Sequence, residues 1–230
     1  MMKVKVLASG SSGNCTLIKT SSGENILCDV GVTLKKIFPA MNFEPIDFAI
    51  ITHEHSDHAQ LPAIKKLLAI GTEVYMTAGT QKALKLEDRH NLHVLKVMTP
   101  IEIGSCRLVA QKSIHDAAEG IVFKLYDADD VILYSTDTKF PAGDNSDCTK
   151  MIMEANFSES ALAKSEIDAN QKERISNNHT SIERLVNYLE NQELQRLKEI
   201  HLIHISKRHG DGAEFKSALK KVIDVPIFTH

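Results

Sequence analysis

The chain has 230 residues, enough for a sizeable core, and 43% hydrophobic with 25% charged residues is the balance of an ordinary globular protein. A net charge of −3 gives no general attraction to nucleic acid, though it leaves room for a local basic site. No apolar run reaches the ~18 residues that a spanning helix needs, so no membrane association is expected. The opening Met-Met-Lys-Val-Lys-Val-Leu runs into a strand and does not read as a signal peptide. Cys15, Cys28, Cys106 and Cys148 stand singly, without a CxxC pair, which fits reduced thiols and a cytoplasmic location. One domain over 1–230 is expected.

The first third reads as strands: Val4–Leu7, Thr16–Ile18 and Asn25–Cys28, separated by the turns Gly10–Asn14 and Ser21–Glu24. Phe48–Ile51 is a short buried strand. Ile64, Leu67 and Leu68 fall at helical spacing after Pro62, which suits a first helical turn. Further strands are expected at Arg107–Ala110, Ile121–Leu125 and Val131–Ser135, with a turn at Asp127–Asp130. Ile182, Leu185, Val186 and Leu189 mark an amphipathic helix capped by Thr180 or Ser181. A strand at Glu199–Ile205, a helix at Ala213–Val222 and a strand at Pro226–Phe228 complete the reading.

Between the Phe48–Ile51 strand and the Pro62 helix lies Thr52-His53-Glu54-His55-Ser56-Asp57-His58. Three imidazoles and two carboxylates in seven residues serve no packing purpose. Together they suit zinc, and also manganese or iron. In a loop leaving a strand, His53 and His55 point one way while Asp57 and His58 point another, so one loop can feed two metals. With this H-x-H-x-D-H pattern in a strand–loop–helix setting, the chain resembles the metallo-β-lactamase fold superfamily. The resemblance implies an α/β, four-layer αββα sandwich.

It also implies the rest of a site. His115, Asp137 and His204 each follow a strand and match, in order, the family's later metal motifs. By that resemblance His53, His55 and His115 hold one divalent ion, Asp57, His58 and His204 hold a second, and Asp137 bridges them. The ions are expected to be zinc, with manganese as the other candidate. Asp29 would orient a ligand imidazole from behind, since a metal-bound His usually gives its other N–H to a carboxylate. His90, His93, His201 and His230 read as ordinary: the first two solvated, His201 packed, His230 frayed.

The branch is read from smaller segments. Asp137 stands where true β-lactamases commonly carry a cysteine. Glyoxalase II-like and lactonase-like relatives usually continue the loop with glycines, where this chain has Ala59-Gln60. His204-Ile205-Ser206-Lys207-Arg208 resembles the H-x-S-x-R segment of tRNase Z-like nucleases, and His179 stands before a helix as an extra histidine does in that group. The opening Leu7–Thr16 is similar to the YycJ-type exonuclease branch, as are His115-Asp116-Ala117, Thr136-Asp137-Thr138 and Glu154-Ala155-Asn156. The chain departs from these groups in lacking a long inserted arm and in a short, polar 170–178 segment. Compact phage phosphodiesterases that destroy cyclic nucleotides resemble the same group.

The resemblance therefore implies a dinuclear-metal phosphodiesterase acting on DNA, RNA or a small cyclic nucleotide. The alternative is a carboxylic hydrolase of the lactonase or thioesterase kind on the same site. Asp57 would handle the proton of the attacking water and His179 would act as general acid. Lys207, Arg208 or Lys139 would hold a phosphate oxygen. Ser11, Ser12 and Asn14 would line the pocket. A homodimer is a further expectation.

Overall fold

A computed structural model describes residues 1–141 and 143–230. The chain forms two compact units, one of residues 1–112 and 117–130, the other of 113–116 and 131–230.

In the first unit β1 (Lys3–Ala8), β2 (Cys15–Lys19) and β3 (Asn25–Cys28) pair antiparallel. Helix α1 (Leu34–Ala40) leads to β4 (Phe48–Ile50), α2 (Leu61–Ala69) to β5 (Glu73–Thr77), and α3 (Ala78–Ala83) to β6 (Leu92–Leu95). β3 to β6 pair in parallel, in chain order. The edge strand β1 keeps Lys3 and Lys5 exposed, which blunts an open ladder. β3, inside the sheet, is buried throughout, as a strand covered on both faces must be. Ile64, Leu67 and Leu68 of α2 are buried, Pro62 sits in its first turn, and its apolar stripe joins Leu17, Leu27, Ile51, Val74 and Met76 in one core. β7 (Ile101–Ile103), β8 (Cys106–Lys112) and β9 (Ile121–Tyr126) form an antiparallel ladder. The turn after β9 is closed by the Asp127 N–H donating to the Asp130 carbonyl at 2.9 Å.

In the second unit β10 (Val131–Ser135), β11 (Lys150–Glu154), β12 (Glu199–Ile203) and β13 (Ile227–Thr229) pair in parallel, in that order. Helices α4 (Glu159–Lys164), α5 (Ala169–Asn178), α6 (Ile182–Glu190) and α7 (Gly212–Leu219) occupy the connections. Ser181 is the cap of α6, its side chain accepting from the Arg184 N–H. The segment expected to be short and polar is α5, which buries no residue.

Two histidines depart from the sequence reading. His93 lies in β6, stacks on Tyr75 at 4.6 Å and pairs with Glu73, so it is not merely solvated. His230 is not frayed: its N–H donates to the Leu202 carbonyl at 3.1 Å and its ring meets His201 at 3.0 Å. No described helix is long and apolar enough to cross a membrane. The four cysteines are free and buried.

Candidate functional site

Asp29, the histidine loop, Asp137, Glu154 and His204 stand at the carboxyl ends of parallel strands, where open α/β sheets expose loops to ligands, whereas His115 follows the antiparallel β8 and His179 ends α5. In the first unit Asp29 follows β3 and the histidine loop follows β4. The loop is clamped by backbone. The Asp57 carbonyl accepts from the Asn14 N–H at 2.7 Å, the His58 carbonyl from the Val30 N–H at 2.8 Å, and the Val30 carbonyl from the Gln60 N–H at 2.8 Å. Gly31 makes this approach possible, since a Cβ there would lie 1.7 Å from the Asp57 carbonyl oxygen. Glu54 accepts from the Ala118 N–H at 2.7 Å.

Within this loop the His53 ring lies 4.7 Å from that of His55 and 4.3 Å from that of His58. Asp57 Oδ2 stands 3.6 Å from His58 Nε2. Asp29 is fully buried and holds a left-handed φ of 62°, a conformation an aspartate adopts at a cost that functional sites often bear. One of its oxygens meets His58 Nδ1 at 2.8 Å. The other accepts from the Thr52 N–H at 2.8 Å and the Thr52 hydroxyl at 2.9 Å. His58 thus donates from Nδ1 and offers Nε2 as its basic nitrogen. Asn14 Nδ2 lies 2.9 Å from that Nε2, and its Oδ1 accepts from the Gly10 N–H, which sets the amide's orientation. Ser11 and Ser12 are exposed on the turn.

In the second unit Asp137 and His204 leave β10 and β12 in the left-handed region, with φ of 43° and 53°. That turn ends β12 at Ile203, before the expected Ile205. Asp137 stands between two imidazoles. Its Oδ2 is 3.6 Å from His115 Nε2, and its Oδ1 is 3.4 Å from His204 Nδ1. His115 Nδ1 donates to the Asn178 carbonyl at 3.0 Å, leaving Nε2 on the Asp137 side. Burial holds the His115 ring below its ordinary pKa, outweighing the pull of Asp137.

Glu154, at the end of β11, organises this cluster. Its Oε1 accepts from His179 Nδ1 at 2.6 Å and from His204 Nδ1 at 3.0 Å. Its Oε2 accepts from the N–H groups of Thr138 at 3.3 Å and Thr180 at 3.2 Å. Burial pushes this carboxyl up, but the His179 charge and the bonds from both rings outweigh it and hold it below its usual range. Burial likewise pushes His179 down, yet the Glu154 carboxylate prevails and the ring is raised. Asn156 donates to the His204 carbonyl at 2.9 Å. Ligand-type atoms of Asp137, Glu154, His179 and His204 all lie within 4.8 Å of one another. His179 therefore shares a cluster with the expected ligands and is not set apart from them. Lys207 and Arg208 are exposed in the turn after His204, and Lys139 donates to the Asn177 side chain at 2.7 Å.

Glu154 is the member of these clusters that stands out least in the sequence, present there only within the segment Glu154-Ala155-Asn156, because a carboxylate closing the strand Lys-Met-Ile-Met-Glu carries no signal of its own. The donor set of imidazoles and carboxylates, with Nδ1 atoms of His58, His115, His179 and His204 engaged by carboxylate or carbonyl oxygens, fits divalent metal chemistry.

Residues 24–205 match the family model described as a beta-lactamase superfamily domain. Exodeoxyribonuclease WalJ from two strains of Streptococcus pneumoniae is 27% identical over 229 residues, covering 90% of this chain and 83% of the relative. Among solved structures, the metallo-beta-lactamase fold protein YhfI from Bacillus subtilis aligns with a TM-score of 0.77 at 19% identity, over 100% of this chain and 96% of that one. Zn(2+)-bound PqqB from Methylobacterium extorquens gives 0.73 at 11% identity, covering 100% and 97%. A diphosphatase from the PhnP family gives 0.69 at 14% identity, covering 100% and 95%. These likenesses show the fold, the α/β metallo-β-lactamase type that the histidine loop led one to expect.

Proposed function

The chain belongs to the β-lactamase superfamily, and from that premise we propose that it is a dinuclear-metal phosphodiesterase that hydrolyses nucleotide phosphodiester bonds in the cytoplasm. The observation that carries the metal part is the donor set itself: the imidazoles of His58, His115 and His204 are each held through Nδ1 by an oxygen acceptor, which leaves Nε2 as the ligand nitrogen, and Asp137 Oδ2 stands 3.6 Å from that nitrogen of His115. We assign His53, His55 and His115 to one ion, Asp57, His58 and His204 to the other, and Asp137 to both, following the order of the motifs along the chain. Zinc fits the imidazole-rich set, and manganese fits its carboxylates. Two such ions, when bound, would supply an activated water and neutralise phosphate oxygens.

The chain's own residues supply the rest. Asp29 fixes the tautomer of His58. Glu154 fixes His179 through Nδ1, so Nε2 is the nitrogen that delivers a proton to the leaving alkoxide. Asp57 orients the attacking water, and Lys207 and Arg208 hold non-bridging oxygens. The phosphodiester class draws support from the exodeoxyribonuclease relative and from the His204–Arg208 segment.

Metal analysis of protein purified without chelators should return close to two equivalents. His55→Ala with Asp57→Ala should lose most of that metal while the chain stays folded. A wild-type protein free of metal would end the proposal. An activity panel of bis-nitrophenyl phosphate, cyclic mononucleotides, single-stranded DNA, pre-tRNA, a lactone and a thioester tests the class. Efficient ester cleavage with every phosphodiester intact would put the chain among the carboxylic hydrolases instead.

A further inference from the structure

Asn14 is 1% exposed, and its neighbours fix every part of it except one end. Its N–H donates to the Asp57 carbonyl at 2.7 Å, and its carbonyl accepts from the Gly31 N–H at 2.8 Å. In the side chain, Oδ1 accepts from the Gly10 N–H at 2.9 Å. A backbone N–H can only donate, so the oxygen must face Gly10 and the amide cannot be turned over. Nδ2 is thereby aimed at His58 Nε2, 2.9 Å away. The Asp57 carbonyl, 3.4 Å from Nδ2, takes its second hydrogen.

A buried asparagine that bridges two loops is commonly structural. What sets this one apart is the atom it serves. Asp29 holds His58 through Nδ1, so Nε2 carries the lone pair of the ring, and it is the nitrogen a metal would use. One lone pair serves one partner, either the Asn14 amide or an ion. An ion that takes it leaves the Asn14 N–H without its acceptor. A buried donor left unpaired is costly, and the other polar atoms of Asn14 are already bonded. The acceptor that replaces Nε2 must therefore reach the site with the ion or after it.

We infer that Asn14 is a substrate-binding residue, whose amide caps His58 Nε2 in the empty site and donates to a non-bridging phosphate oxygen in the loaded one. The inference rests on the phosphodiesterase reading and deepens it by naming a donor to the substrate. A neutral amide suits both states. A cationic side chain there would repel the ion, and an anionic one would repel the phosphate. The bond from Gly10 holds the donor in place throughout, so little reorganisation accompanies the exchange of acceptors.

Calorimetric titration with zinc, then with inorganic phosphate, tests this on wild type, Asn14→Asp and Asn14→Ala. Asn14→Asp keeps the shape and the acceptor for Gly10 but puts an oxygen where the N–H₂ was. Asn14→Ala removes the donor and adds no charge. Both variants should hold as much zinc as wild type, since neither removes a ligand. Both should bind phosphate roughly 10- to 100-fold more weakly, the scale of one hydrogen bond to a charged acceptor. Unchanged phosphate affinity in either variant overturns the inference, as does a zinc-loaded wild type that binds no phosphate. Loss of zinc from both variants also overturns it, because Asn14 is then only a prop for His58. A further measurement needs no variant. Scalar coupling across the hydrogen bond between Asn14 Nδ2 and His58 Nε2, read by NMR of nitrogen-labelled wild type, should be present without zinc and vanish with it. Coupling that persists with zinc bound overturns the inference. The parent reading fails separately: a protein whose phosphate binding depends on Asn14 but that cleaves no phosphodiester keeps the donor and loses the phosphodiesterase. One that cleaves phosphodiesters with Asn14 neutral to phosphate binding does the reverse.

Discussion

At the scale of single residues, the second unit turns on one carboxylate. Glu154 accepts four hydrogen bonds, two of them from imidazoles, and is 2% exposed. Glu154→Gln keeps the shape but presents an amide N–H₂ where acceptors are needed. It should cost about 2–3 kcal/mol of stability, the range for lost charged hydrogen bonds, and weaken metal binding ~10- to 100-fold through a misdirected His204. His179→Ala should behave otherwise: turnover down ~10²–10⁴ with metal content unchanged, as for a lost general acid. Because His179 sits within the ligand cluster, metal analysis of that variant is decisive. Loss of an equivalent of metal would make His179 a ligand and remove it from the proton-transfer role. The contrast between the two residues explains what was legible. Histidines and paired carboxylates are rare enough that seven residues from Thr52 to His58 announce themselves. A glutamate at the end of a strand is common, and only the fold reveals that two rings lean on it.

At the scale of elements, the ligand loop owes its shape to three backbone segments meeting at Gly31, where a Cβ would also lie 2.6 Å from the Asn14 amide nitrogen. Gly31→Ala must push the Asp57 carbonyl away or break its bond to Asn14. We expect about 1–3 kcal/mol of lost stability, as for an overpacked core, with a matching loss of bound metal. Gly23→Ala is the comparison: its φ of 91° is strained for alanine, but no atom lies within 4 Å of the added Cβ. It should lower the melting temperature modestly and leave metal content alone. A Gly31→Ala protein with wild-type melting temperature and full metal would show that the clamp does not hold the loop. Elements were legible where apolar period and burial agree, as in α2 and α6. Helix α1 is poorly legible in the sequence although Leu34 and Ile37 keep helical spacing, because Pro39 near its end reads as a break. Helix α5 has no apolar stripe, and its one signal is Asp168, which caps the Gln171 N–H at 2.9 Å. His93 looked solvated because charged residues flank it, whereas Glu73 and Tyr75 on the neighbouring strand partner it.

At the scale of the whole chain, a net charge of −3 argues against broad attraction to nucleic acid, so any grip on a polymer must be local. Lys207 and Arg208 are exposed after His204, and α5 adds the half-buried Lys172, whose ammonium donates to the Ala163 carbonyl, and the exposed Arg174, paired with Asp116 at 2.9 Å. A single strand held by three or more of them should lose affinity steeply with salt, with a log–log slope of roughly −0.7 per phosphate contact. A cyclic mononucleotide carries one phosphate and should give a slope no steeper than about −1. Lys207→Ala with Arg208→Ala should shallow the slope for the polymer by roughly 1 to 1.5 and lower phosphodiester turnover. Hydrolysis of a lactone or thioester needs no grip on a second phosphate oxygen, so the same double variant should leave any such activity intact. Measured over a range of salt, a flat response for single-stranded DNA together with a normal rate for the double variant would remove both the polymer and the phosphate-holding role from these residues. A steep response that the double variant shares unchanged would move the grip to α5, where Lys172→Ala and Arg174→Ala are the next substitutions.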